Sequence, residues 1–415
     1  MRSILSALAA TTLMTGAAVA DGHALSGDLK IISDMSNPAP RAVMEGLAAQ
    51  FDEMHPELNI ELEVIDREAW KSQIRNVLQA SPPDVVNWYA ANRMGPYVSA
   101  GLFEDVSDVW GEIEGLDAVK GAMTIDDKQW GVPYTYYQWG VYYREDIFNE
   151  LGLEEPATWE QELANCQAII DSGRKCYTIG TKFLWTAGGW FDYLNMRTNG
   201  FDFHMQLAQG EIPWTDDRVR QTFANWRQLI DMGAFIDDHQ NYSWQEALPF
   251  MVNGEATAYL MGNFAVAPMR EAGLNDDQID FYQFPAINPD VAMGEDAPTD
   301  TFHIPSGAQN KEAAREFLKF VVSADVQTDI NAGDALGQLP VNANSSVDDD
   351  EFLNQGFEML SENATGGIAQ FFDRDFPAEM AAVGMEGLQE FMVFPDNLED
   401  ILQRLEQARE RIYAN

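Results

Sequence analysis

Basic residues are scarce in this chain of 415 residues. Lys and Arg together number 25 against 67 Asp and Glu, so the formal net charge is −42. A field of this sign repels phosphate groups and disfavours nucleic acid and anionic membrane surfaces as partners. We interpret the acidity mainly as a solvation feature. Attraction of a cationic ligand is the alternative reading of the same charge.

Long apolar runs are absent after residue 20. The first twenty residues combine Arg2, an uncharged apolar stretch and the small residues Ala18-Val19-Ala20, a pattern typical of a secretory signal peptide. This stretch is too short for a membrane anchor. We expect cleavage near Ala20 and release into an exported compartment. The cleavage point has no cysteine, so we expect no lipid anchor.

Cysteine is nearly absent too, with only Cys166 and Cys176. An even count in an exported protein favours a disulfide between them. A metal site would need further ligands close in sequence, and none are evident, so we predict no metal and no cofactor.

Sequence motifs typical of catalytic sites are also missing. The five histidines are scattered, and the sequence contains no Gly-x-Ser-x-Gly elbow, Walker-type phosphate loop or Gly-x-Gly-x-x-Gly opening. We therefore expect a binding protein and not an enzyme. A pair of catalytic carboxylates is compatible with so acidic a chain, so an exported glycan-cleaving enzyme stays as an alternative.

The N-terminal part alternates strand and helix signals. Apolar residues at 29–32, 59–65 and 85–86 predict three strands, and apolar residues at helical spacing over 44–54 and 70–78 predict helices between them. This order is typical of a parallel sheet covered by helices, an α/β fold. The length favours two domains or lobes. No long linker separates them, which indicates crossing strands at their boundary.

The middle of the chain is mostly helical and rich in tryptophan, and strand character returns at 281–284 and 301–304. Clean helical patterns follow at 311–322 and 397–413. Aromatic and amide side chains without an evident nucleophile suit carbohydrate binding, because sugar rings stack their C–H faces on aromatic rings and their hydroxyls bond to planar polar groups.

Short segments in a characteristic order carry a family resemblance. Between Leu29 and Ile412 the chain resembles the extracellular solute-binding proteins of carbohydrate ABC transporters, the group that includes maltose-binding protein. The segments are Phe51–Pro56, Pro83–Val85, Ala100–Asp105, Gly131–Tyr134, Tyr142–Phe148, Glu155–Gln161, Phe250–Ala258, Asn310–Leu318 and Leu336–Asn342.

This resemblance implies the α/β, two-lobed periplasmic binding protein fold, with the ligand cleft between lobes joined by a hinge that closes on binding. By analogy, residues 28–137 and 300–342 form the first lobe. Residues 138–285 and 346–395 form the second, and 396–415 form a C-terminal helix.

The resemblance also implies a function. We expect a periplasmic protein that captures a carbohydrate, from a monosaccharide to a trisaccharide or a sugar glycoside, and delivers it to the permease subunits of an ABC importer. We expect it to act as a monomer. A cationic solute such as a polyamine is the alternative ligand.

Matching segments suggest which side chains contact the ligand. The expected ligand-binding residues are Ser36, Asn37, Trp88, Tyr89, Asn92, Arg93, Tyr136, Gln138, Trp185, Trp190, Asp192, Asn263, Phe264, Phe372, Asp373 and Arg374. At the first crossing between lobes, strand alternation predicts that Tyr136 and Gln138 face the cleft, whereas Tyr137 and Trp139 point away.

Overall fold

The computed structural model describes residues 24–347 and 349–414. The predicted signal segment, residues 1–20, lies outside this part of the chain. The strands are β1 Gly27–Ser33, β2 Leu58–Val64, β3 Val85–Tyr89, β4 Thr124–Ile125, β5 Lys128–Gln129, β6 Val132–Tyr136, β7 Trp139–Arg144, β8 Lys175–Tyr177, β9 Ala256–Gly262, β10 Ile279–Tyr282, β11 Gly294–Asp296, β12 Thr299–His303 and β13 Gly367–Ala369.

Helices cover both sheets. They are α1 Pro38–Met54, α2 Arg67–Ala80, α3 Gly95–Ser99, α4 Ser107–Trp110, α5 Glu145–Leu151, α6 Trp159–Asp171, α7 Trp185–Asn199, α8 Phe201–Ala208, α9 Asp217–Asp231, α10 Trp244–Val252, α11 Val266–Glu271, α12 Lys311–Val321, α13 Ala324–Asn331, α14 Glu351–Glu358, α15 Phe372–Asp375, α16 Ala378–Val393 and α17 Leu398–Ile412. Among the described residues, no helix is long and apolar enough to cross a bilayer.

Two mixed sheets divide the molecule into two lobes. The first lobe is built on a five-stranded sheet of order β2-β1-β3-β12-β6, and the second on a four-stranded sheet of order β10-β7-β9-β8. Strand β1 pairs in parallel with both β2 and β3. The predicted strand–helix–strand order at the N-terminus is therefore confirmed, as is the two-lobed α/β fold.

Each lobe has its own hydrophobic core. The core of the first lobe draws on residues 29–134 and 302–341, and that of the second on residues 137–297 and 352–408 with Leu339. The chain crosses between the lobes at residues 137–138, just before β12, and after Val341. Helix α17 buries Ile401 and Leu405 in the second core. The lobe limits drawn from the sequence stay a prediction.

A disulfide joins Cys166 of α6 to Cys176 of β8, as the sequence predicts. The two Cα atoms lie 5.1 Å apart. Closing a loop of about ten residues restricts the unfolded chain and contributes roughly 3 kcal/mol in the chain-entropy model. The bond ties the helix to the edge strand of the four-stranded sheet, within the second lobe's core.

Glu162 lies beside this disulfide and accepts hydrogen bonds from two phenols. Tyr177 donates to its Oε1, and Tyr282 donates to its Oε2 at 2.9 Å. Burial desolvates the carboxylate and raises the pKa of Glu162 to about 7, although both phenol hydrogen bonds act in the opposite direction. The ionisation of Glu162 is therefore coupled to folding.

Substituting Glu162→Gln is expected to change how stability depends on pH. An acid with a raised pKa in the folded state stabilises most while protonated, below its unfolded value of about 4.5, and that contribution is lost as the pH rises through about 7. The melting temperature of the variant should thus rise relative to wild type between about pH 5 and about pH 8. A constant difference in thermal melts over that range would contradict this account.

Candidate functional site: the cleft between the lobes

A cleft opens between the two lobes. It contains about 1160 Å³ of space unoccupied by protein atoms, counted together with its opening to solvent. Small-molecule sites occur preferentially at interfaces between domains such as this one. Both lobes contribute to its walls, so a ligand here would contact both at once.

Strand ends and helix starts supply many of the cleft residues. Asp34 follows β1, and Arg67 is the first residue of α2, directly after β2. The carboxylate of Asp66 caps α2 by accepting from the amides of Glu68 and Ala69 at 3.1 and 3.0 Å, which directs the helix start into the cleft. Ligands of open α/β sheets gather at the carboxyl ends of parallel strands for this geometric reason.

The second lobe contributes an aromatic wall. The indoles of Trp139 and Trp185 stand at 88° with ring centroids 6.0 Å apart, and Phe371 lies 4.7 Å from Trp139. Phe264 packs edge-on against Trp244 at 5.3 Å. The rings are thus fixed at several angles to one another. The aromatic wall comprises Tyr137, Trp139, Trp185, Trp244, Phe264 and Phe371.

Next to the aromatic wall, four charged side chains alternate in sign; we call them the charge row. Arg67 Nε lies 3.5 Å from Asp34 Oδ2, and Arg67 Nη1 lies 3.5 Å from Asp300 Oδ2. Arg374 Nη2, from the second lobe, lies 2.8 Å from Asp300 Oδ1. Burial raises the pKa of Asp34, with the negative charge of Asp300 adding to the effect and Arg67 opposing it. The charge row therefore crosses the cleft and joins the lobes.

Two phenols end this row. Tyr89 donates to Asp34 Oδ2 at 3.3 Å, and Tyr137 Oη accepts from Arg374 at 3.0 Å. Burial raises the pKa of both phenols. Both hydroxyls are therefore neutral at ordinary pH and remain able to donate and accept hydrogen bonds.

Several residues expected from the sequence do line this cleft. Ser36 and Asn37 lie in the loop before α1, and Trp185 begins α7. The full set is Ser36, Asn37, Tyr89, Trp185, Phe264, Asp373 and Arg374. Whether each contacts a ligand stays a prediction.

Three expected residues of the first lobe do not line the cleft. Trp88 is buried and donates its indole N–H to the carbonyl of Arg93 at 3.0 Å. The amide of Asn92 donates to the carbonyl of Asp375 at 2.6 Å, and Arg93 Nη1 lies 3.6 Å from Asp373 Oδ2. Asn92 and Arg93 thus join the two lobes to each other, which occupies the groups expected to bind ligand.

The predicted orientation of the side chains at the first crossing between the lobes is wrong. Tyr137 and Trp139 line the cleft, whereas Tyr136 and Gln138 do not. Tyr136 ends β6 and pairs with Leu339, and the fully buried Gln138 donates to the carbonyl of Phe352 at 3.3 Å. The side chains of residues 136–139 do alternate, but in the opposite direction to the predicted one, because contacts with Leu339 and Phe352 hold Tyr136 and Gln138 away from the cleft.

Trp190 and Asp192 of the second lobe belong to its interior instead of the cleft. Trp190 packs edge-on against Tyr177 at 4.7 Å within the core. The carboxylate of Asp192 is fully buried and accepts from the amide of Phe372 at 2.7 Å.

Asn263 and Phe372, which were also expected to bind ligand, do not line the cleft either. Asn263 is buried beside the crossing, with its backbone amide bonded to the carbonyl of Gln138 at 3.1 Å. Phe372 is fully enclosed and stacks on Phe376 at 4.3 Å. Its neighbour Phe371 takes the place in the cleft that the sequence interpretation assigned to Phe372.

Sequence reasoning missed the charge row almost entirely. Asp34 and Arg67 carried a usable signal, because each directly follows a strand whose parallel order was predicted. Asp300 carried none, since its partners are distant in sequence. The missed cleft residues include Asp34, Arg67, Lys71, Tyr134, Tyr137, Trp139, Trp244, Asp300, Gln338 and Phe371.

A metal centre has little support within residues 24–347 and 349–414. The one described group of His, Cys, Asp or Glu side chains close enough to share an ion is Glu162 with Cys166 and Cys176. The two sulfurs are joined to each other in the disulfide, so they are not free as thiolate ligands.

Comparison with known proteins agrees with this geometry. An uncharacterized ABC transporter extracellular-binding protein of Pyrococcus horikoshii, PH1039, is 25% identical over 388 residues, covering 91% of this chain and 87% of that protein. The multiple sugar-binding protein of Streptococcus mutans is 20% identical, with 68% of each chain covered.

Solved structures share the whole architecture. The bacterial solute receptor AcbH, described as preferring β-D-galactopyranose, superposes with a TM-score of 0.83 at 28% identity, over 94% of this chain and 100% of that chain. A chitin oligosaccharide binding protein has a TM-score of 0.83 at 20% identity, over 93% and 99%. Residues 36–328 match the family model of the bacterial extracellular solute-binding proteins, and this chain belongs to that family.

Proposed function

We propose that this protein captures a neutral sugar in the cleft, a monosaccharide to a trisaccharide or a sugar glycoside, and delivers it to the permease of an ABC importer. The observation that carries the proposal is the pairing of the aromatic wall with the charge row in one cleft. The wall can stack on the apolar face of a sugar ring. The row can bond to its hydroxyls.

The paired charges of the cleft favour a neutral ligand. Arg67 and Arg374 are each matched by a carboxylate, and Lys71 Nζ lies 2.9 Å from Glu68 Oε1. An anionic ligand would have to displace one of these carboxylates to reach a cation of the cleft. Sugar hydroxyls can use the remaining donor and acceptor positions without breaking any pair, so they are the chemistry that fits best.

The relatives support sugar over the polyamine reading. AcbH, at 28% identity, is described as selective for β-D-galactopyranose, and one curated relative is named a multiple sugar-binding protein. The family consists of binding proteins, which supports capture without catalysis. It also implies an exported protein that works with an ABC transporter. Cleavage near Ala20, the lack of a lipid anchor and action as a monomer are parts of this proposal.

The cleft residues already predicted from the sequence are the proposed ligand contacts. Trp185 and Phe264 would stack on the sugar, and Tyr89 and Arg374 would bond to it. The proposed set is Ser36, Asn37, Tyr89, Trp185, Phe264, Asp373 and Arg374, joined by Asp34, Arg67 and Asp300 of the charge row.

Each neutral sugar paired with its uronic acid tests both the assignment to sugars and the preference for a neutral ligand. We expect D-galactose or D-glucose to raise the melting temperature, since a ligand at about 100 times its Kd adds about 2.7 kcal/mol of stability. The corresponding uronic acids should bind at least about tenfold more weakly, because a buried ion without a free partner is costly. Thermal shift followed by calorimetric titration measures both.

The panel also contains raffinose, a chitin oligosaccharide, galactosamine and putrescine. Stabilisation by putrescine with none by any sugar would defeat the sugar assignment. Equal binding of a sugar and its uronic acid would defeat the preference for a neutral ligand while keeping the assignment to sugars.

A further inference from the structure

We infer that Phe371 is a specificity-determining ring of the cleft and that Asp375 is the positioning residue that holds it there. The inference rests on the proposed function, because it takes the ligand to be a sugar. The Phe371 ring lies 4.7 Å from Trp139 at an interplanar angle of 33° and 6.3 Å from Trp185. It therefore fixes the shape of one corner of the aromatic wall.

The backbone of Phe371 is strained. Its φ is 138° and its ψ is 153°, a region that residues with a side chain rarely adopt. Such conformations persist only where the surroundings impose them, and they concentrate at ligand sites. Phe371 is itself buried in the core of the second lobe, but its ring also lines the cleft. The neighbouring Phe372 already packs the core, enclosed and stacked on Phe376.

Two carboxyl groups, that of the half-buried Asp375 and that of the buried Asp192, impose the strained turn. Asp375 Oδ2 accepts from the amide of Gln370 at 2.7 Å and from that of Phe371 at 3.1 Å. Asp192 Oδ2 accepts from the amide of Phe372 at 2.7 Å. The amides of three consecutive residues thus donate to side-chain carboxyl oxygens, which fixes the direction of the backbone on both sides of Phe371. The orientation of the ring follows from the orientation of these amides.

Helix α7 leaves space for the ring at a glycine pair. A Cβ atom at Gly189 would lie 3.1 Å from Phe371 Cε2 and 2.7 Å from Trp139 Cζ3. A Cβ atom at Gly188 would lie 3.7 Å from Phe371 Cε1. Contacts near 3 Å are too close for carbon atoms, so Gly189 allows Phe371 and Trp139 to lie together against the helix. The ring is therefore supported from its backbone and from the helix behind it.

A double-mutant cycle tests whether Asp375 acts through Phe371. With D-galactose as the probe, or the panel sugar that wild type binds best, Phe371→Ala should weaken binding by roughly tenfold. Asp375→Ala should weaken it by a similar factor, whereas Asp375→Asn, which keeps an acceptor oxygen, should stay within about threefold of wild type. The affinity of the variant carrying both alanines should fall only about tenfold, because the second substitution removes no further interaction with the sugar.

Losses that multiply to about a hundredfold would overturn the inference, since they would mean that the two residues act independently. A loss for Asp375→Asn as large as that for Asp375→Ala would overturn it as well. Failure of the wild-type protein to bind any sugar would instead defeat the proposed function. The role of Phe371 can still be tested in that case by comparing the stabilities of two Phe371 variants without ligand.

Comparing Phe371→Gly with Phe371→Ala measures the effect of the strained backbone on stability, and this comparison needs no ligand. Both Phe371→Gly and Phe371→Ala remove the ring, but only glycine adopts this backbone without strain. Ligand-free Phe371→Gly should therefore melt about 2 °C or more above Phe371→Ala, while both lose the same affinity. A melting temperature for the glycine variant equal to or below that of the alanine variant would overturn the inference whatever wild type binds.

Discussion

Replacing Trp185 by Ala is expected to weaken sugar binding by roughly 30-fold, about 2 kcal/mol. Trp185 is half-buried in the cleft, and the centroid of its indole lies 6.0 Å from that of Trp139 and 6.3 Å from that of Phe264. Lys71 of the first lobe places its Nζ 5.8 Å from the centre of the same ring. A sugar that fills the cleft would cover the exposed part of the indole, and that burial is lost in the variant.

Titration calorimetry or tryptophan fluorescence with the sugar found in the thermal-shift panel measures this change. Phe183→Ala is the matched control, since Phe183 lies two residues earlier, is 40% exposed and is not among the residues lining the cleft. Its affinity should equal that of wild type. Equal losses for the two variants would show that the effect is a general disturbance of the segment and not lost stacking.

Replacing Arg197 by Met is expected to lower the free energy of unfolding by about 3–5 kcal/mol. Arg197 of α7 is fully buried, forms an ion pair with the equally buried Glu295 and donates to the carbonyls of Phe284 and Gly294. Methionine fills similar space but leaves Glu295 buried without its cation, with only the amide of Gln283 still donating to it at 2.8 Å. The lost pair connects the helix that begins at the cleft to strand β11.

Urea unfolding followed by circular dichroism measures the loss. Arg411→Met is the control, because Arg411 and its partner Glu379 are both more than half exposed and exposed pairs contribute little. Its midpoint should match that of wild type. Similar midpoints for Arg197→Met and Arg411→Met would mean that the buried pair adds nothing to stability.

Local patterns predicted the framework of the first lobe well. The alternating apolar residues of β2 and the helical spacing in α2 depend only on near neighbours in the chain. The same is true of α12, where Asn310 caps the helix by accepting from the amide of Ala313 at 3.3 Å. The disulfide followed from the count of cysteines and the expected compartment. Each of these features depends on interactions between residues close in the chain, or, for the disulfide, on one pair of cysteines.

The site was predicted at the level of segments but not of side chains. The aromatic stretch that contains Tyr136, Tyr137 and Trp139 does border the cleft, yet its orientation is the reverse of the predicted one, because contacts with distant segments hold Tyr136 and Gln138 away from the cleft. Arg93 and Asp373 were both expected to bind ligand, and they lie 3.6 Å from each other instead. Pattern rules assume one continuous element, whereas these contacts join parts of the chain that are hundreds of residues apart.

The sequence by itself determined the fold class, the disulfide and the abundance of aromatic residues near the cleft. These depend on composition and on local periodicity. The tertiary structure decided which rings face the cleft, that Asp34 and Asp300 are paired with Arg67 and Arg374, and that Phe371 rather than Phe372 lines the site. The physical reason is that burial and charge pairing depend on which distant segments meet. That is settled only when the two lobes come together.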